Sequence, residues 1–105
     1  MDNRTFERIP ANIEVTFHCN NMDYTGTIVD ISENGMFIST KDMCSPFDSQ
    51  FEVVIPFKDK VLSVPVNLNR IILSPDSRDG IGVELSESSE DYVDMVSKLK
   101  DKVMR

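Results

Sequence analysis

The chain has 105 residues, 40% of them hydrophobic, which predicts a single domain with one compact core and leaves no room for a separate catalytic domain. Its 18 acidic and 11 basic residues give a formal net charge of −7, which repels nucleic-acid phosphates over most of the surface. We therefore expect no generic DNA or RNA binding, although clustered basic side chains could still hold a small anion.

The two cysteines, Cys19 and Cys44, form no C-x-x-C pair, and no signal-peptide pattern precedes them. Free thiols in a reducing cytoplasm are the simplest expectation. The longest apolar runs, such as residues 53–55 and 71–73, fall far short of the roughly 20 residues of a membrane-spanning helix. We therefore expect a cytoplasmic protein without membrane insertion.

The first ten residues have no apolar periodicity, and Pro10 disfavours a helical conformation at the residue before it. We predict that residues 1–10 form a flexible extended arm. This arm leads into the first strand.

Residues 11–19 alternate apolar and polar side chains with a period of two, which predicts the first strand. Its apolar face is formed by Ile13, Val15 and Phe17. His18, the only histidine, falls on the polar face, which favours an exposed strand residue over the base of a catalytic triad. Because His18 and Cys19 would point to opposite faces, we expect no zinc site here.

Residues 22–32 and 35–40 predict the next two strands, which a short polar turn separates. Asp30 and Ser32 lie two residues apart. If the strand persists that far, they share a face and offer carboxylate and hydroxyl oxygens. Gly35 follows where the turn needs a positive φ or a bare backbone. Ordinary hairpins use the same residue types, so this segment alone does not identify a site.

A loop over residues 41–49 precedes the second half of the predicted sheet. Further strands are expected over residues 51–55, 61–74 and 81–85, with turns at residues 56–60 and 75–79. Pro65 predicts an edge or bulged position in the long fifth strand. Arg70, in the same strand, could supply a third cation or a flat surface to a bound base, but an ordinary surface arginine is the simpler interpretation.

Residues 88–103 predict an amphipathic helix, with serine hydroxyls and acidic side chains at its start. Its apolar side chains recur three and four residues apart, at Tyr92, Val96, Leu99 and Val103. We expect this stripe to cover the barrel or to meet a partner. Six short strands and one helix predict a mainly β fold, a small antiparallel barrel over residues 11–86 followed by the helix.

A second polar cluster lies in the N-terminal arm, where Arg4 and Arg8 form an Arg-x-x-x-Arg motif. Downstream, Asp30, Ser32 and Gly35 form an Asp-x-Ser-x-x-Gly motif. In this order the two motifs resemble the signatures of the PilZ domain family. The resemblance covers nearly the whole chain and implies the fold predicted above, a six-stranded PilZ-like barrel with a C-terminal helix.

The resemblance also implies a function, the binding of the bacterial second messenger cyclic di-GMP and transmission of the signal to an effector protein. Arg4 and Arg8 would grip phosphate oxygens or guanine edges. Asp30 would accept from guanine N–H groups, Ser32 would bond a phosphate or a base, and Gly35 would let the turn approach closely. No cofactor, metal ion or catalytic residue is expected. Members of the family control motility, exopolysaccharide synthesis and virulence.

Two other classes of function compete with the receptor hypothesis. A PilZ-like adaptor would leave the nucleotide site unused and act through the helix stripe or the acidic surface, and the net charge of −7 favours it. An enzyme is not expected, because no nucleophile, base and orienting group converge in the motifs.

Overall fold

The protein folds into a closed antiparallel barrel of six strands, followed by one helix. The computed structural model describes residues 8–19, 21–40, 49–57, 59–72, 79–87 and 89–103. Their elements are β1 (Ile9–Cys19), β2 (Met22–Ser32), β3 (Gly35–Ser39), β4 (Gln50–Phe57), β5 (Lys60–Ile72), β6 (Gly80–Leu85) and α1 (Glu90–Val103). The predicted fold class is confirmed.

The barrel is built from two three-stranded meanders, β1 to β3 and β4 to β6, and its strand order is β1-β2-β3-β6-β5-β4. β3 joins β6 along five antiparallel pairs, from Gly35 opposite Glu84 to Ser39 opposite Gly80. β1 joins β4 over only three pairs. The β3–β6 pairing brings the turn after β2 beside the last strand.

Alternation along β1 separates the core from the surface, as the sequence pattern predicts. Val15, Phe17 and Cys19 are buried, whereas the residues between them are exposed. His18 is one of these exposed residues, and its Nδ1 lies 2.9 Å from Asp23 Oδ1. Cys44 lies outside the described residues. The prediction of an exposed strand histidine is confirmed.

β1 begins at Ile9, two residues before the predicted boundary at residue 11. Ile9 pairs with Ile31 and is buried, and Pro10 pairs with Asp30. The last two residues of the predicted arm therefore belong to the barrel. The period-two pattern did not include Ile9 because a register shift between Pro10 and Ile13 interrupts it.

The predicted turn over residues 56–60 is shorter in the structure, since Pro56 pairs with Val61 and Phe57 with Lys60. This leaves a two-residue hairpin loop. In a two-residue hairpin, the two residues that flank the loop, here Phe57 and Lys60, bond to each other. The next pair, Pro56 and Val61, directs its N–H groups away from the partner strand. In the described chain, β4 pairs with β1 only as far as Val54, so the missing N–H of Pro56 interrupts no ladder.

Pro65 lies where its neighbouring strand ends. Its carbonyl accepts from the N–H of Ser86 at 3.0 Å, one residue after β6 finishes at Leu85. The nitrogen and the carbonyl of a strand residue point to the same neighbouring strand. The nitrogen of Pro65 therefore faces the end of β6, where the ladder has stopped and no N–H is needed. The irregularity in β5 falls further along, between Leu68 and Arg70.

The apolar stripe of α1 covers the barrel. Tyr92, Met95 and Val96 are fully buried, and Leu99 packs against the same core. The Ser89 hydroxyl accepts the N–H of Tyr92 at 3.2 Å and caps the helix, as the sequence predicts. In the part of the chain that the structure describes, no helix is both long and apolar enough to cross a bilayer.

Candidate ligand-binding site

Arg8 joins the two motifs that the sequence analysis singled out. Its Nε donates to Asp30 Oδ1 at 2.8 Å, and its Nη2 lies 2.8 Å from the same oxygen. The two side chains are 49% and 36% exposed, so the pair stands at the surface. The β1–β2 pairing causes this meeting, because it sets Pro10 opposite Asp30. Arg4 lies outside the described residues.

A register shift in the β2–β3 pairing, between Ile28 and Asp30, changes which way the end of β2 faces. Bulges of this kind re-aim side chains. Asp30 is half-buried beside the exposed Val29, whereas Ser32 is completely buried. The pairs from Asp30 to Ser32 are regular, so the shift does not separate these two residues. They differ in burial because Ser32 lies at the end of β2, where the turn and β3 enclose its side chain.

The buried Ser32 side chain organises the turn between β2 and β3. Its hydroxyl donates to Asn34 Oδ1 at 2.9 Å, and the backbone N–H of Asn34 points back to it at 3.4 Å. With an exposed fraction of 0%, Ser32 presents no surface to a ligand in this conformation. Its side chain determines how Asn34 is presented.

Gly35 is needed for close backbone approach. No glycine in the described ranges has a positive φ, so the alternative of a left-handed turn does not apply. A Cβ atom at Gly35 would stand 2.5 Å from the carbonyl oxygen of Val83 on β6. Only glycine lets β3 and β6 pair at this point.

Tyr92 ties the helix to the motif turn, a connection that the sequence analysis missed. Its hydroxyl lies 2.7 Å from the Ser32 carbonyl oxygen and 3.2 Å from that of Gly35. Burial raises the pKa of the Tyr92 phenol well above its usual range, and the positive charge of Arg8 opposes this only in part. The available signal was a tyrosine at a core position of the stripe, since a buried hydroxyl needs a partner.

We expect Tyr92→Phe to lower the free energy of unfolding by about 1–2 kcal/mol, because a buried carbonyl loses its donor. Urea unfolding followed by circular dichroism measures this difference. Leu99→Ala serves as the comparison, because it shortens a partly buried side chain on the same stripe and removes no hydrogen bond. An unchanged free energy for Tyr92→Phe would show that the hydroxyl contributes nothing.

The stability of Tyr92→Phe and that of the wild type should depend differently on pH in alkaline solution. Because the folded-state pKa of Tyr92 is raised, the stabilisation is complete below the unfolded-state pKa of about 10 and is lost as pH rises above it. Wild-type stability should fall by as much as about 1.4 kcal/mol per pH unit from this group. Tyr92→Phe lacks this contribution, so the two stability curves should converge above pH 10.

Beside the Arg8–Asp30 pair lies a depression with a volume of about 250 Å³. Arg8, Asn34 and Gly35 line one side, and Arg70 and Gly82 line the other. Two arginines and one acidic residue, Glu84, thus line one small space, whose charged residues are net positive on a chain with a net charge of −7. This concentration of positive charge suits a small anion.

A larger depression, of about 480 Å³, lies on the outside of β1, β2 and β4. Glu14 is the only charged residue among its lining residues, which include Thr25, Thr27 and Val54. A negative charge among threonines and apolar groups does not suit an anionic ligand. Within the described ranges, no group of three or more potential ligands could hold a metal ion.

The sequence matches the model of the PilZ domain family over residues 2–101, and the chain therefore belongs to this family. No curated protein sequence gives a significant match.

Solved structures with the same fold have low sequence identity to this chain. The inhibitor of motility MotI/DgrA of Bacillus subtilis superposes with a TM-score of 0.80 at 18% identity, over 99% of this chain and 53% of its own. MrkH of K. pneumonia in complex with c-di-GMP has a TM-score of 0.77 at 17% identity, over 99% of this chain and 53% of its own.

The PilZ domain of YcgR from Escherichia coli, solved with c-di-GMP, has a TM-score of 0.75 at 12% identity, over 99% of this chain and 93% of its own. The present chain spans about half the length of MotI/DgrA and of MrkH. At these identities, the likeness establishes the shared fold.

Proposed function

We propose that the protein is a receptor for cyclic di-GMP and binds it at the depression beside Arg8 and Asp30. The single observation that carries this proposal is the contact between Arg8 and Asp30, which lie 22 residues apart in the chain and belong to the two different motifs. Membership of the PilZ family and the c-di-GMP complexes of YcgR and MrkH support the choice of ligand.

Arg8 is suited to bind a phosphate or a guanine edge while it stays paired with Asp30. A guanidinium group has five N–H donors in a fixed plane, and the contacts with Asp30 Oδ1 engage at most two of them. The remaining donors contact no other described residue and are available for bidentate contact with phosphate oxygens or with guanine O6 and N7. Asp30 then holds the fork in orientation, in addition to its predicted contact with guanine N–H groups.

Ser32 and Gly35 support the site through the turn. Ser32 shapes the loop that presents Asn34 to the depression, and Gly35 lets that loop lie against β6. A direct bond from Ser32 to the ligand, as the sequence motif implies, would require the turn to open. Arg4 would approach from the N-terminal arm and supply a second guanidinium group to the two phosphates.

Transmission to an effector protein is part of the same proposal. The helix stripe that the adaptor hypothesis offered to a partner is buried against the barrel core, where Tyr92, Met95 and Val96 have no exposed surface. A partner would therefore bind elsewhere, on the acidic surface or on the ligand-bound site itself.

Titration calorimetry with cyclic di-GMP tests the receptor proposal, with GMP and cyclic GMP as controls. Several charge-assisted hydrogen bonds of roughly 1.5–3 kcal/mol each, reduced by the cost of ordering the arm, should give micromolar affinity. Absence of binding heat for cyclic di-GMP, together with no displacement of a labelled analogue, would leave the adaptor as the better hypothesis.

We expect Ser32→Ala to weaken cyclic di-GMP binding by roughly 5- to 10-fold, because one neutral hydrogen bond contributes about 1 kcal/mol. Asn34→Ala should reproduce most of this loss, since Ser32 acts on the site through the Asn34 amide. Calorimetry on both variants and on the double variant measures the relation. If the two losses simply add, Ser32 contacts the ligand independently of Asn34.

A further inference from the structure

Arg70 stands on the opposite side of the depression from the two signature motifs. It lies on β5 at a register shift between Leu68 and Arg70, directly opposite Gly82 of β6. A bulge at this point re-aims the side chain relative to a regular strand. The register shift at Arg70 therefore lies at the edge of the depression, and Arg8, the partner of Asp30, lines the same depression.

The Arg70 side chain lies over the backbone of Gly82. A Cβ atom at Gly82 would be 3.2 Å from Arg70 Cγ, 3.4 Å from Nε and 3.9 Å from Cδ. Three consecutive atoms of one side chain are therefore close to a single point on β6. A side chain that projected straight out from the sheet could not satisfy all three distances, so Arg70 extends along the sheet surface.

The guanidinium group of Arg70 has no hydrogen bond or ion pair with any other described residue, and the side chain is exposed. Arg8, by contrast, is paired with Asp30. Glu84 also lines the depression, yet no ion pair joins it to Arg70. Because Arg70 lies flat in the depression and no described acidic residue pairs with it, its face and its edge donors are available to a ligand.

We propose that Arg70 is a ligand-binding residue whose guanidinium plane stacks on a guanine ring of the bound nucleotide, and that Gly82 is required because it lets Arg70 lie flat. This inference rests on the proposed function. It assigns Arg8 to the phosphates or to a guanine edge and Arg70 to a base face. It also gives a role to a residue outside both signature motifs.

Arginine suits this role because its guanidinium group is planar, delocalised and weakly hydrated, so it stacks on purine faces. A lysine at the same position would keep the charge but would lose the planar surface. A side-chain methyl group at Gly82 would lift Arg70 by a few tenths of an ångström or more, and the neighbour that must move is a flexible side chain. The barrel should therefore tolerate alanine at Gly82.

The test compares Arg70→Ala, Arg70→Lys and Gly82→Ala with the wild type by calorimetry with cyclic di-GMP. We expect about 10-fold weaker binding or more for both Arg70 variants, since stacking on one base has an effect of this size. Gly82→Ala should weaken binding in the same direction with a melting temperature close to that of the wild type. Lys98→Ala, on a helix face that lines a different depression, controls for the loss of one positive charge.

Nuclear magnetic resonance gives a readout that a merely structural role would not produce. On saturation with cyclic di-GMP, the Arg70 Nε–Hε signal should move upfield, because protons above a purine ring are shielded by the ring current. A downfield shift would instead indicate a hydrogen bond to phosphate and would overturn the stacking proposal. Affinity equal to that of the wild type in Arg70→Lys would also overturn it.

The result for the wild type separates this inference from the proposed function. If the wild-type protein binds cyclic di-GMP and the Arg70 and Gly82 variants bind equally well, the receptor proposal stands and the role of Arg70 is wrong. If the wild type does not bind, both proposals fail.

Discussion

Arg8→Ala is expected to weaken cyclic di-GMP binding by about 100-fold or more while the barrel stays folded. The variant loses at least two charge-assisted hydrogen bonds of roughly 1.5–3 kcal/mol each, and each 1.4 kcal/mol is about tenfold in affinity. The ion pair with Asp30 stands at the surface and is partly exposed, so it contributes only about 0–1 kcal/mol to stability. Calorimetry measures the first quantity, and thermal unfolding measures the second.

A double-mutant cycle shows whether Asp30 acts through Arg8 or directly on the ligand. Since Asp30 Oδ1 lies within 2.8 Å of both Nε and Nη2 of Arg8, we expect the losses in Arg8→Ala and Asp30→Ala to be strongly non-additive. Additive losses would mean that Asp30 contacts the ligand independently.

The effect of salt on affinity, together with a variant that loses a charge elsewhere, gives a further test of the role of Arg8. Attraction between arginine and phosphate is screened over about 8–10 Å at 0.1–0.15 M salt, so wild-type affinity should fall as salt is added. The affinity of Arg8→Ala should fall less steeply. Lys98→Ala removes the same charge from the exposed face of α1 and should bind as the wild type does. A loss in Lys98→Ala equal to that in Arg8→Ala would show that net charge, not the site, determines binding.

Gly35→Ala is expected to destabilise the fold at the upper end of the roughly 1–3 kcal/mol range for overpacked sites, or beyond it. The added Cβ would stand 2.5 Å from the Val83 carbonyl oxygen, and a paired backbone cannot rotate away as a side chain can. At roughly 4–8 °C per kcal/mol, the melting temperature should fall by more than about 10 °C. Thermal unfolding by circular dichroism measures this change.

Gly82→Ala is the matched control for Gly35→Ala, since both change a glycine that the β3–β6 pairing includes. At Gly82, the nearest atoms belong to the flexible Arg70 side chain, so the strands keep their spacing. We expect a small change in melting temperature for Gly82→Ala and a large one for Gly35→Ala. Equal melting temperatures for the two variants would mean that β3 and β6 separate at little cost.

Local side-chain patterns were sufficient to locate most of the strands. The bounds of β2 match the prediction, because its β-branched residues and polar end signals lie within the strand itself. The start of β1 was placed too late, since the burial of Ile9 depends on Ile31 in another strand. The turn at Pro56 was predicted too long because the sequence does not show which side of β4 lacks a partner.

The amino-acid sequence by itself determined the two motifs, the class of fold and the helix cap, because each depends on residue types a few positions apart. The tertiary structure alone decided that β3 lies beside β6, and this pairing places Gly35 against Val83. It also decided that Arg70 shares a depression with Arg8. Such contacts join residues far apart in sequence, and they follow from closure of the barrel, in which each edge strand must find a partner.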